Sequence, residues 1–89
     1  MKLTANSTDD IELMDAFRDG NNEGDGEEIG ETSDTPEQAA VREDWTVIRH
    51  IWEGTNCPGS PVLADDGAGA LYVVCDVNGP WAVRVGGDR

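Results

Sequence analysis

The chain has 89 residues and a formal charge of −13, from six Lys and Arg against nineteen Asp and Glu. This length allows one small domain, or a smaller domain with an attached tail. No apolar run approaches the ~20 residues of a membrane-spanning helix, and residues 1–7 lack the apolar stretch of a secretory signal. Because an anionic chain is repelled by phosphates, the composition also argues against direct binding of nucleic acid.

The acidity is concentrated in the first half of the chain. Residues 1–44 hold fourteen acids against three bases, a net charge of −11, whereas residues 45–89 hold five acids against three bases, a net charge of −2. All three tryptophans and the one tyrosine lie in the second half. The sequence therefore predicts an acidic N-terminal helix with a flexible linker in residues 1–34, and a small α+β domain in residues 35–89.

An amphipathic helix is predicted near the start of the acidic segment. Ser7 and Thr8 are good capping residues, and Gly20 is typical of a helix end. The apolar residues between them follow helical spacing: Ile11, Leu13, Met14 and Phe17. Residues 20–28 contain no aliphatic or aromatic side chain, so we expect a flexible loop that continues to about Asp34.

A second helix is predicted after this loop. Thr35 and Gln38 form a capping-box pattern, and Pro36 fits the first helical position. Apolar residues then recur at steps of four, three and four: Val41, Trp45, Ile48 and Trp52. We therefore expect an amphipathic helix over residues 36–53. A strand through residues 45–52 is the alternative, since β-branched residues are frequent there.

Three strands are predicted in the remainder of the chain, over residues 61–64, 70–76 and 81–85, with an Asn78-Gly79 hairpin signal. The predicted fold class is α+β: an amphipathic helix packed on a three-stranded antiparallel sheet, preceded by the acidic helix and the flexible loop. The expected core comprises Val41, Trp45, Ile48, Trp52, Leu63, Leu71, Val73, Val83 and Val85.

Catalytic and metal-binding motifs are not recognisable in the sequence. Cys57, Cys75 and His50 lack the paired spacing of zinc ligands, and we interpret the cysteines as reduced thiols, with a disulfide between them as the alternative. Residues 19–25 resemble the opening of an EF-hand loop, but the twelfth position is Gly30 where that motif needs Glu, which favours a solvated linker. We expect no enzyme activity, no cofactor and no metal.

Three explanations compete for the acidity: mimicry of nucleic acid, adaptation to high salt, or a disordered tail. In size and composition the chain is similar to small phage proteins that block restriction enzymes or CRISPR complexes, although it shares no motif with them. We expect a non-enzymatic inhibitor that occupies the basic nucleic-acid-binding surface of a larger protein in the cytoplasm, the host cytoplasm if the protein is viral. The alternative is a salt-adapted interaction module or subunit of a cellular complex, whose acidic half serves solubility or docking.

The expected partner is a basic protein surface of a nucleic-acid-handling enzyme or complex, and neither nucleic acid nor a membrane is expected to bind directly. The residues expected to contact this partner are the acids of the first helix and of the loop after it. They are Asp9, Asp10, Glu12, Asp15, Asp19, Glu23, Asp25, Glu27 and Glu28.

Overall fold

The protein is described by a computed structural model over residues 7–51 and 60–87. Its elements are the helices α1 (Ser7–Asn22) and α2 (Pro36–Arg42) and the strands β1 (Gly26–Glu28), β2 (Thr46–His50), β3 (Val62–Asp65), β4 (Ala70–Asp76) and β5 (Pro80–Gly87). The strands form one sheet in the order β1-β5-β4-β3-β2, and every neighbouring pair is antiparallel.

The connections place one helix on each face of this sheet. Strands β2 to β5 form a meander, whereas β1 joins the far edge by pairing with β5. The chain therefore crosses the sheet between β1 and β2, and α2 lies on this crossing in contact with β2, β3, β4 and β5. Helix α1 packs on the other face, against β5 and β4.

Two apolar clusters lie on the two faces, because successive strand residues point to opposite sides. The cluster under α1 contains Met14, Phe17, Ile51, Leu63, Val73, Cys75 and Val83. The cluster under α2 contains Ile29, Ala39, Val62, Val74 and Ala82. Neighbouring strand residues such as Val73 and Val74 are both fully buried but belong to different clusters. The fold therefore divides its apolar residues between two thin layers.

The predicted architecture is wrong in its central element. Helix α2 ends at Arg42, and the segment expected to complete the helix forms strand β2 instead. Asp44 adopts a left-handed conformation with φ 64°, which stops the helix, and the β-branched run that follows pairs with β3. The helix-like spacing does not mark a buried face, because Val41 is 60% exposed and Ile48 is 45% exposed. Within residues 7–51 and 60–87 the sheet has five strands, where three were expected.

The flexible loop after the first helix is also a wrong prediction. Helix α1 continues through Gly20 to Asn22, because the missing side chain of Gly20 lets the helix approach β5: a Cβ there would lie 2.5 Å from Val83 Cγ1. Residues 26–28 then form β1 by backbone pairing with residues 81–83. Ile29 is buried directly after β1 and anchors this edge of the sheet.

The strands expected in the second half are present as β3, β4 and β5. Three residues of the expected core are buried: Leu63, Val73 and Val83. Three more are partly buried and pack against the clusters: Trp45, Leu71 and Val85. The expectations for Trp52 and for a Cys57–Cys75 disulfide fall on residues 52–59, which lie outside the described part of the chain.

Candidate partner-binding surface

The outer face of α1 carries a line of carboxylates. Met14 and Phe17 are buried against the sheet and define the inner face of the helix. Glu12, Asp15 and Asp19 are exposed on the opposite side. Because they are spaced three and four residues apart, their side chains are neighbours along one helix face.

The turn after α1 adds two carboxylates at the end of this line. The backbone N–H of Glu23 donates to the carbonyl of Asp19 at 3.1 Å, and that of Asp25 donates to the carbonyl of Gly20 at 2.8 Å. Gly24 supplies the left-handed residue of the turn, with φ 85°. Glu23 and Asp25 are both exposed, so the turn extends the acidic line of the helix toward the sheet edge.

Strand β1 continues the acidic region along the edge of the sheet. Glu27 lies opposite Ala82 and Glu28 lies opposite Trp81, and both glutamates are exposed. Ala82 belongs to the α2-face cluster and Trp81 packs on the α1-face cluster. Glu28 therefore lies on the same side of the sheet as α1, and Glu27 lies on the opposite side.

We refer to these exposed carboxylates together as the acidic surface: Glu12, Asp15, Asp19, Glu23, Asp25, Glu27 and Glu28. Within it, Asp15 pairs with Arg18 Nη1 at 3.1 Å, and both side chains of this pair are more than half exposed. Exposed pairs of this kind contribute little to stability. The other six carboxylates form no salt bridge among the described residues. The acidic surface therefore keeps most of its negative charge.

Two of the residues expected to bind a partner are not part of this surface. Asp10 is only 2% exposed, and its Oδ1 lies 2.6 Å from Nη1 of Arg49 in strand β2. Asp9 lies in the first turn of α1, and its side chain is outside the described part of the structure. The seven remaining residues lie along one helix, one turn and one strand, with Glu27 on the side of the sheet opposite α1.

Of the four arginines among the described residues, Arg18 alone forms an ion pair with a residue of the acidic surface. Besides Arg18 and Arg49, Arg42 pairs with Asp34 through Nε and Oδ2 at 2.6 Å, and Arg84 donates to the carbonyl of Gly86. The hydrogen bond from Arg42 lowers the pKa of Asp34, and the backbone N–H of Glu31 lowers it further. Two of the four arginines are thus occupied by carboxylates that are nearly buried.

The Asp10–Arg49 and Asp34–Arg42 pairs were missed by the sequence analysis. One signal was present for the first of them. Asp10 shares helical spacing with Met14 and Phe17, which identifies it as a residue of the buried face. A carboxylate on such a face needs a cationic partner, and the partner comes from a strand distant in sequence.

The described residues show no metal-binding geometry: residues 7–51 and 60–87 contain no group of three or more His, Cys, Asp or Glu placed to hold an ion. Asp19 to Asn22, the first positions of the EF-hand-like segment, are helical. In this same part of the chain, neither helix has the length and apolar character needed to cross a bilayer.

Comparison of the chain with protein-family models, with curated proteins and with solved structures gave no match.

Proposed function

We propose that this protein is a non-enzymatic acidic binding protein of the cytoplasm that occupies the basic nucleic-acid-binding surface of a larger protein. The observation that supports the proposal is the acidic surface itself. All seven of its carboxylates are exposed, and six of them have no salt bridge among the described residues. They lie on the outer face of α1, in the turn after it and on β1, where Glu28 is on the α1 side of the sheet and Glu27 is on the other side.

The spacing of these charges is compatible with a site built for phosphates. Glu12 to Asp19 span about 10 Å of helix axis, so α1 presents roughly one carboxylate per 5 Å. One strand of B-DNA carries one phosphate per about 3.4 Å of helix axis. The charge density along α1 is therefore somewhat lower than that of a DNA strand, but of the same order. A groove lined with Lys and Arg would attract both polyanions.

The support of α1 on the sheet also favours this function. Met14 and Phe17 fix the helix on the sheet, and Gly20 allows close contact with Val83. A preformed array of charges needs little ordering when it binds, so more of the electrostatic attraction is retained as affinity.

The proposal is tested by competition for purified DNA-binding proteins. A restriction endonuclease and a CRISPR effector complex are each bound to fluorescent DNA, and displacement by this protein is followed by fluorescence polarisation. We expect displacement at low salt that weakens steeply as NaCl rises, because association is steered by charge.

A matched pair of variants separates surface recognition from net charge. The D15K/D19K variant changes two residues of the acidic surface, whereas E37K/E43K makes the same charge change at exposed residues on the α2 side. We expect D15K/D19K to weaken displacement about tenfold and E37K/E43K to weaken it several-fold less. Equal effects would indicate that only net charge matters and would favour the salt-adapted interaction module. No displacement from either complex by the wild-type protein would contradict the proposal.

A further inference from the structure

A nearly buried ion pair joins the first turn of α1 to the edge of the sheet. Asp10 is 2% exposed and Arg49 is 19% exposed, and Oδ1 of Asp10 lies 2.6 Å from Nη1 of Arg49. Asp10 lies in α1, whereas Arg49 lies in the edge strand β2. The pair therefore connects two elements that are far apart in sequence and on different layers of the fold.

A β-bulge in β2 directs the side chain of Arg49 to the α1 side of the sheet. Val47 lies opposite Ala64 and packs on the α2-face cluster. In a regular strand Arg49 would point to the same face, because side chains repeat every two residues. The register instead shifts between Val47 and Arg49, which places Arg49 opposite Leu63 of the α1-face cluster. Ile48 is the extra residue of the bulge and is 45% exposed.

We infer that Arg49 is a positioning residue, which acts through Asp10 to fix the first turn of α1 on the sheet. The buried contacts of Met14 and Phe17 hold the middle of the helix on the sheet, farther along the chain than its first turn. The Asp10–Arg49 ion pair attaches the first turn at a second point, which restricts how the helix can rotate or lift. The expected effect on partner binding rests on the proposed function, because α1 carries Glu12, Asp15 and Asp19.

The D10N/R49M variant removes the ion pair without changing the net charge of the protein. Removal of both partners avoids leaving one buried charge alone, which would destabilise the whole fold. The control is Val74→Ala, which creates a cavity in the α2-face cluster, on the other side of the sheet from α1. Arg49→Lys is the conservative variant, because it keeps the positive charge.

Hydrogen exchange of backbone amides measures how readily α1 opens from the sheet. In D10N/R49M we expect the α1 amides to exchange about tenfold faster relative to those of β4, because the helix opens without the sheet. In V74A the exchange rates of the α1 and β4 amides are expected to change by the same factor. In R49K, which keeps the positive charge, α1 is expected to retain most of its protection from exchange. If D10N/R49M does not fold, D10N/R49Q, which also removes both charges but keeps polar side chains at the two positions, takes its place in the same comparison. An equal change of α1 and β4 in the ion-pair variant would overturn the inference.

The DNA-displacement assay then gives the consequence for binding. Because D10N/R49M retains the net charge, we expect its association rate to be unchanged. We expect several-fold faster dissociation, because part of the binding energy is used to hold α1 in place. The exchange experiment needs no partner. If the wild-type protein fails to displace DNA, the proposed function is contradicted while the positioning role stands on the exchange data. If the α1 amides do not exchange faster relative to those of β4 in D10N/R49M, the positioning role is contradicted, regardless of the result of the DNA-displacement assay.

Discussion

The indole ring of Trp81 lies against the backbone of Gly26, where β5 pairs with the short edge strand β1. A Cβ at Gly26 would lie 2.6 Å from Cε2 and 2.8 Å from Cδ1 of this ring. Trp81 also packs on the α1-face cluster, so it links the edge strand to the apolar layer under the helix. The absence of a side chain at Gly26 is therefore what allows β1 to approach the tryptophan.

The Gly26→Ala substitution is predicted to destabilise the protein by about 1–3 kcal/mol, because the indole must leave its packed position. Chemical denaturation followed by tryptophan fluorescence measures the change. Gly86→Ala is the control, since a Cβ there would meet Leu71 Cδ1 at an ordinary distance of 3.8 Å. Equal stability of the two variants would show that Trp81 does not depend on Gly26.

The Ile48→Asp substitution is predicted to change stability by less than about 1 kcal/mol, because Ile48 is half exposed at a bulge. Leu63 in the neighbouring strand is fully buried, and Leu63→Ala is predicted to lower the free energy of unfolding by about 2–5 kcal/mol. Thermal unfolding of both variants compares the two sites. A large loss for I48D would indicate that residue 48 faces the core, as the helical interpretation of this segment required.

The limits of the sequence analysis are clearest at residues 36–52. The capping box of Thr35 and Gln38 correctly marked the start of α2, because capping depends on neighbouring residues. The end of the helix depends on the left-handed backbone of Asp44 and on pairing with β3, which neighbouring residues do not reveal. Strand β1 was missed for the same reason, since residues 26–28 are ordered by distant residues of β5.

The candidate site was predictable only in part. The acids of α1 and the following turn could be placed near one another from sequence, because they belong to consecutive elements. The burial of Asp10 depends on Arg49, which reaches it through a change of register in a strand that the sequence analysis treated as helix. The sequence therefore indicates where charge is concentrated, but not which charges are neutralised inside the fold.

The Asp34→Asn substitution is predicted to remove a pH-dependent contribution to stability. The hydrogen bonds from Arg42 and from the Glu31 amide hold the pKa of Asp34 below its ordinary value. A carboxylate with a lowered pKa stabilises the fold above the pKa of the unfolded chain, and this stabilisation is lost as the pH falls through the lower folded value. The difference in Tm between wild type and D34N should therefore be largest near neutral pH and should disappear in acid.

Arg42→Gln tests the same pair from its other side. It should reproduce the pH dependence of the D34N difference, whereas Arg84→Gln makes the same charge change at an arginine that forms no ion pair with a described residue and makes only a minor contribution to the lowered pKa of Asp66. A similar pH profile for R84Q would show that general charge, and not the Asp34–Arg42 pair, is responsible.

The thermal midpoint is predicted to rise between low and moderate NaCl. The carboxylates of the acidic surface repel one another, and salt screens this repulsion, most completely between charges farther apart than the Debye length of about 10 Å at 0.1 M. The D19N/E23Q variant should show a smaller increase than wild type, because two unpaired charges are removed. A further increase in molar NaCl would favour salt adaptation, and a midpoint that is constant over the whole range would argue against it.

The two sheet edges also bear on how copies of this chain behave at high concentration. Fibril growth by edge pairing needs a long, regular strand with a free row of backbone groups. β1 offers three residues, two of which are glutamates, and the bulge in β2 interrupts the even spacing of its backbone groups. The register change that directs Arg49 toward α1 thus also makes β2 a poor template for amyloid-like stacking.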